Sequence, residues 1–284
     1  MTWHLTHDVH EFRRHTDAYL AADPVGNTGL LTVSETVRRH GPDAYGDEGG
    51  QPPWFGWWRE SGTGPVEAAF VQTPPHPALF GPIPHHHARE LARTLRAAGA
   101  TVAGVKGADG SAQAFADEWA GEGRWTVAVR LRLFRLGVLC PPEQPPPGTV
   151  RRATAADVAQ AAAWMTGFAA DTGASTETDY TANVSRRISG GGLYLWEVDG
   201  RPVSMAGHSP MLAGQARIAP VYTPPDFRGR GYAGAVTAAA SRGALDAGAE
   251  QVLLFADVAD PTANGVYERL GYRPLAPYVE LDFD

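Results

Sequence analysis

Pro141-Pro142-Glu143-Gln144-Pro145-Pro146-Pro147-Gly148 divides the 284-residue chain almost in half. Proline has no amide hydrogen and a fixed φ. Neither a helix nor a sheet ladder runs through such a run, which favours extended polyproline geometry. The segment therefore reads as a semi-rigid linker, residues 141–148, between domains 1–140 and 149–284. The length suits two domains of ordinary size.

Composition narrows the class. Hydrophobic residues are 43% and charged residues 19%, enough apolar material for a packed core. The net charge is −7 with no basic block, which argues against binding nucleic acid through its phosphates. No apolar run approaches the roughly 18 residues of a membrane span. The start, MTWHLTHDVHEFRRH, lacks the apolar core of a signal peptide, so a soluble, cytoplasmic protein is expected. Cys140 is the one cysteine, which excludes an intrachain disulfide and a cysteine zinc site, and it has no evident catalytic partner. Consecutive His85, His86 and His87 cannot all face one ion; they read as a helix start, and no metal is expected. Trp54, Phe55, Trp57 and Trp58 read as an aromatic strand, in a core or a domain interface.

The second half has a legible element order. Thr154 with Asp157 three residues on forms a capping-box signal ahead of a helix. Asp199-Gly200 joins two strand-like runs as a hairpin turn. From Val150 the order is β-α-α-β-β-β-α-β-α-β, a mixed α/β layer. The first half echoes it. Val71-Gln72-Thr73-Pro74-Pro75 matches Val221-Tyr222-Thr223-Pro224-Pro225, and the helical segments that follow end in Ala98-Gly99-Ala100 and Ala247-Gly248-Ala249. This is the mark of a duplicated domain. The copies differ after Thr-Pro-Pro: the second has Asp226-Phe227-Arg228-Gly229-Arg230-Gly231-Tyr232-Ala233, whereas the first has a proline-rich run from His76 to His85.

A glycine-rich turn at a helix start bares amides at the positive end of the helix and suits a phosphate. Arg228 and Arg230 add charged donors. A Walker loop is excluded by the missing Gly-Lys-Ser/Thr. Gly229-x-Gly231-x-x-Gly234 fits the dinucleotide fingerprint, with Asp257 roughly 20 residues on. Pro224 to Arg228 separate strand from glycines, and too few strands follow, which counts against it.

Arg228-x-x-Gly231-x-Ala233 resembles the Q/R-x-x-G-x-G/A signature of the GNAT acetyltransferase superfamily. Asp260 to Tyr272, DPTANGVYERLGY, resembles its Asn/Tyr segment, with Asp260 at the usual Asn and Asn264 as a substitute. The resemblance runs from Val150 to the C-terminus. It implies two GNAT-like domains in tandem, the first degenerate, each a mostly antiparallel sheet flanked by helices. It also implies acetyl-CoA, or another acyl-CoA, as cosubstrate. The amides of Gly229, Arg230, Gly231, Tyr232 and Ala233, with Arg228, would hold the pyrophosphate. The pantetheine arm would lie along Val221, Tyr222 and Thr223, and Asn264 would contact it. Tyr267 would stand near the thioester sulfur as general acid, and the N–H of Val221 or Tyr222 would polarise the carbonyl. Relatives often carry a glutamate four residues before Val221, where this chain has Arg217. The base for the amine acceptor is left among Glu197, His208 and Asp257, with Glu177 in a loop. A CoA-binding sensor without turnover is the alternative, followed by a nucleotide-binding oxidoreductase. The acceptor's identity, and whether the protein is a homodimer, stay open.

Overall fold

The computed structural model describes residues 2–45, 51–173 and 175–283. The first half runs β1 (Thr2–Thr6), α1 (Val9–Ala22), α2 (Thr28–His40), β2 (Trp54–Arg59), β3 (Ala68–Gln72), β4 (Ala78–Phe80), α3 (His85–Ala97), β5 (Gly104–Ala108), α4 (Asp109–Trp119) and β6 (Trp125–Leu136). The second runs β7 (Thr149–Arg152), α5 (Val158–Thr172), α6 (Thr181–Ser189), β8 (Leu193–Val198), β9 (Arg201–His208), β10 (Gln215–Tyr222), α7 (Tyr232–Asp246), β11 (Gln251–Asp257), α8 (Pro261–Arg269) and β12 (Tyr272–Phe283). The second-half order is the one read from the sequence. Asp199 and Gly200 both have positive φ, 51° and 73°, as a two-residue hairpin of primed type requires.

The chain forms two compact units. One holds 1–133, 257–259 and 276–284, the other 134–256 and 260–275. The division differs from the expected boundaries at both ends. Residues 134–140 pack in the second unit, and Tyr278–Asp282 of β12 pair antiparallel with Gly104–Ala108 in the first.

In the first unit β1 to β4 are antiparallel neighbours and β4 runs parallel to β5. Side chains alternate across β2. Phe55 meets Phe12 of α1 with ring centroids 5.3 Å apart, and Trp57 stacks on His15 at 4.5 Å. Trp58 faces the other way, onto His87 of α3 at 3.7 Å. The aromatic strand is thus the core of this unit, buried on both faces. The three histidines open α3, as expected.

The second unit's sheet runs β7-β8-β9-β10-β11, antiparallel except for β10 with β11. One face buries Leu193, Leu195, Met205 and Tyr222 against Trp164 and Met165 of α5 and Val184 of α6. The other buries Tyr194, Trp196, Ala206 and Ile218 against the alanine-rich α7. The capping box forms ahead of α5: Asp157 accepts from the Thr154 amide at 2.7 Å. The proline-rich segment carries no helix or strand, yet it is no free spacer. Leu139 packs on the second core, the Cys140 amide donates to Leu270 O at 3.0 Å, and Trp196 Nε1 donates to Pro147 O at 3.0 Å.

Candidate functional site

The site begins where β10 parts from β11. Their parallel pairing covers only Gln215 to Arg217, opposite Gln251 to Leu253. Beyond Arg217, β10 pairs only with β9, with an irregularity between Ile218 and Val221. Pro220 lies there and has no amide to donate. Arg187 of α6 fixes this bend, its Nη1 donating to Ala219 O at 2.7 Å. The edge of β10 from Ile218 to Tyr222 is therefore left without a ladder partner on the β11 side, among the described residues. Bulges of this kind gather at sites because they end pairing and redirect the strand.

Thr223 closes the strand, its hydroxyl 2.8 Å from that of Ser204. A single 3-10 turn at Pro225–Phe227 leads into the glycines. Gly229 and Gly231 take φ of 75° and 81°, in the left-handed region that favours glycine. The Arg228 amide bonds to Pro225 O, and Ala235 is the next amide to find a carbonyl, that of Gly231. The amides of Gly229 through Gly234 donate to nothing among the described residues. Six consecutive bare donors at the start of a 15-residue helix make an anion cradle.

The two arginines separate. Arg228 donates through Nε to Thr223 O at 2.8 Å, pairs with Asp171 of α5, and lies over the Tyr222 ring at 5.8 Å. Its guanidinium braces the loop. Arg230 has no ion pair or hydrogen bond among the described residues and lines a cleft of about 460 Å³. Gly231, Gly234, Val266, Arg269, Leu270 and the proline-rich segment form the rest of it. Tyr232 turns its side chain into the core, at 7% exposure, so only its amide and that of Ala233 serve the cradle.

On α8, Asp260 caps the helix, accepting from the Ala263 amide at 2.9 Å. Asn264 turns Nδ2 back onto Asp260 O at 2.6 Å, so that donor is used within its own helix. Tyr267 packs beside Phe134 and Tyr272, with centroids 6.5 and 6.1 Å away, and its hydroxyl has no partner among the described residues. Burial, with the Asp260 carboxylate behind it, pushes the phenol up to about 12.

The base candidates fare unequally. Glu197 is held by Arg151, Nε to Oε1 at 2.8 Å, in a group that also includes Asp157. The guanidinium engages that oxygen, and the residue lies at the hairpin end of β8. Asp257 is exposed, accepts from the Ala259 amide at 2.8 Å and groups with the first unit. Glu177 is exposed in the loop before α6. His208 lies on β9 two residues from Ala206, the partner of Val221. Its Nδ1 is 2.9 Å from Ser209 O. A carbonyl only accepts, so Nδ1 carries the proton and Nε2 of the neutral ring is the basic nitrogen.

The first unit lacks the cradle for a visible reason. The residues that replace the glycine loop form β4, which pairs antiparallel with β3 and parallel with β5. The gap between the strands matching β10 and β11 is filled by the chain itself. Phe80 there is 1% exposed and packs on Phe115 at 5.9 Å. The dinucleotide reading fails on topology, since it needs a parallel, doubly wound sheet.

Sequence reasoning missed Asp171, Arg187 and Arg269. Only the last had a local signal: Val266, Arg269 and Leu270 fall on one helical face at spacings of three and four. Among the described residues no His, Cys, Asp or Glu group could hold a metal, and no helix is long and apolar enough to cross a membrane.

Comparison with known proteins agrees with this geometry. Residues 161–272 match the model of the Acetyltransferase (GNAT) family. A GNAT-family acetyltransferase of known structure from Colwellia psychrerythraea aligns over 100% of both chains, with TM-score 0.67 and 11% identity. A Drosophila protein of known structure aligns over 99% of this chain and 98% of its own, with TM-score 0.68 and 12% identity. A GCN5-related N-acetyltransferase from Kribbella flavida covers 76% of this chain and 86% of its own, with TM-score 0.55 and 23% identity. No curated protein matches the sequence. The whole-chain likenesses show two GNAT-like domains in tandem as the fold.

Proposed function

We propose, from the match of residues 161–272 to the GNAT acetyltransferase family model, that the protein is an acyl-CoA-dependent N-acyltransferase, moving acetyl from acetyl-CoA to a small-molecule or peptide amine by direct attack. One observation carries this reading: the bare amides from Gly229 to Gly234 lie directly after the unpaired edge of β10. The cradle suits a pyrophosphate, and the open edge suits the amide-bearing arm of an acyl-CoA.

Each residue then has a task. The amides of Gly229 to Ala233 hold the pyrophosphate and Arg230 adds charge, while Arg228 keeps the loop in shape. Val221, Tyr222 and Thr223 line the arm, with Asn264 near it. The Val221 or Tyr222 N–H stabilises the oxygen that gains charge as the thioester carbon becomes tetrahedral. Tyr267, protonated at neutral pH, donates to the departing sulfur. His208 Nε2 takes the proton from the amine, whose ammonium form cannot attack. The first domain, its gap closed by β4, holds no acyl-CoA and serves structurally.

Thermal melting with acetyl-CoA, CoA and NADPH, beside Arg230→Ala, tests this. A ligand bound only by the folded state at about 100 times its Kd stabilises by about 2.7 kcal/mol and should raise Tm by roughly 5–10 °C. We expect that shift with acetyl-CoA and CoA, and a smaller one in Arg230→Ala. A shift with NADPH alone would overturn the reading. Binding of acetyl-CoA without turnover on any of a panel of amines would instead favour a CoA sensor.

A further inference from the structure

The cleft beside Arg230 is more than a continuation of the phosphate loop. Arg230 and Gly231 belong to both, so a ligand held on the bare amides has the cleft next to it. One wall is α7 and α8, through Gly234, Val266 and Leu270; the other is the proline-rich segment 140–146. That second wall is anchored at both ends, by the Cys140–Leu270 and Trp196–Pro147 bonds. Next to the Pro147 anchor it lies against the loop: a Cβ at Gly231 would be 3.8 Å from Pro146 Cγ. Prolines without amide hydrogens facing Val266 and Leu270 form a flat apolar slot. Arg230 and Arg269, neither paired among the described residues, are its cationic groups. Glu143 and Gln144 on the strap are its acceptors. At about 460 Å³ the cleft falls within the roughly 300–1,000 Å³ usual for small-molecule sites.

We infer that the proline-rich segment is a strap over the adenosine end of the cosubstrate, and that the cleft beside it selects the 3′-phosphate of CoA through Arg269. The inference rests on the acyl-CoA reading above and names the part of the ligand this cleft takes. The purine lies between the strap prolines and the Val266–Leu270 face. Its amino group faces Glu143 and Gln144. A phosphate beside Glu143 would be repelled, so the phosphate goes to the helix side, where Arg269 closes α8. The strap thus makes the interdomain segment part of the second domain's binding site.

Calorimetric titration of the full chain with CoA, 3′-dephospho-CoA and 4′-phosphopantetheine tests the selection, for wild type and Arg269→Gln. A charge-assisted contact at an exposed arginine should favour CoA over dephospho-CoA by roughly three- to tenfold at low salt. Arg269→Gln should lower CoA affinity to the dephospho-CoA level and leave dephospho-CoA unchanged. Equal wild-type affinities, or equal weakening of both ligands in the variant, would overturn the inference while leaving the acyl-CoA reading intact. Binding of none of the three would overturn that reading and this one with it. The strap has its own readout. Cys140 is exposed, lines the cleft and is the one thiol in the chain. Adenosine 3′,5′-bisphosphate, which has no thioester arm, should slow its alkylation by iodoacetamide. Unchanged alkylation at saturating CoA would remove the strap from the site.

Discussion

Tyr267 shows how one residue's surroundings decide its chemistry. Its phenol, pushed up to about 12 by burial and by Asp260, stays protonated wherever an amine acceptor can be deprotonated. Replacing Tyr267 with Phe removes the hydroxyl and leaves the ring against Phe134 and Tyr272. We expect kcat to fall by roughly a hundredfold, in the range for general acids, with the KM for acetyl-CoA little changed. The wild-type kcat profile should show no alkaline fall from this group below about pH 10. Steady-state kinetics between pH 6 and 10 check both points. The raised folded value favours the protonated phenol, so its contribution to stability is complete below the unfolded tyrosine value and is lost as pH rises towards 12. The sequence singles out Tyr267 by its motif position alone. The division of labour between Arg228 and Arg230 was not, because it depends on Asp171, 57 residues away from Arg228.

At the scale of elements, α5 is the clearest case of local sequence sufficing. Thr154 and Asp157 cap it as their spacing foretells, and the structure adds Arg151, which donates to both Asp157 oxygens at 2.7 and 2.9 Å. Arg151 first, then the Thr154 amide and hydroxyl, hold this carboxyl down at about 2. Asp157→Ala should cost about 1 kcal/mol through the lost cap, with a further loss from stranding Arg151. The depressed folded value means the contribution is present above the unfolded carboxylate range and disappears as pH falls towards 2. Denaturation of wild type and variant from pH 6 to 2 should therefore show their difference shrinking with acid; a constant difference would remove the charge from the account. The parting of β10 and β11 is the opposite case. Pro220 hinted at it, but Arg187, from a helix earlier in the chain, is what holds the bend.

For the whole molecule the question is why two copies of one plan differ. The order strand, Thr-Pro-Pro, helix, strand, helix, strand recurs, yet only the second copy leaves its strands apart and leads into its helix through a glycine loop with six consecutive bare amides. The first fills the gap with Ala78–Phe80. We therefore expect one CoA per chain: calorimetry should give a stoichiometry of one, and a value of two would contradict the closure by β4. The sequence alone determined the doubling, the order of elements in the second half, the loop with its two positive-φ glycines and the capped start of α5. Each of these rests on spacing, turn chemistry or amide supply within a few residues, where local sterics and hydrogen bonding decide. Only the tertiary structure decided that residues 76–84 contain a strand, that Glu197 is taken by Arg151, that Arg230 rather than Arg228 faces the cleft, and that the proline run straps α7 and α8. Those outcomes depend on which distant side chains and edges meet, and proximity of that kind is created only when the sheet and its helices pack.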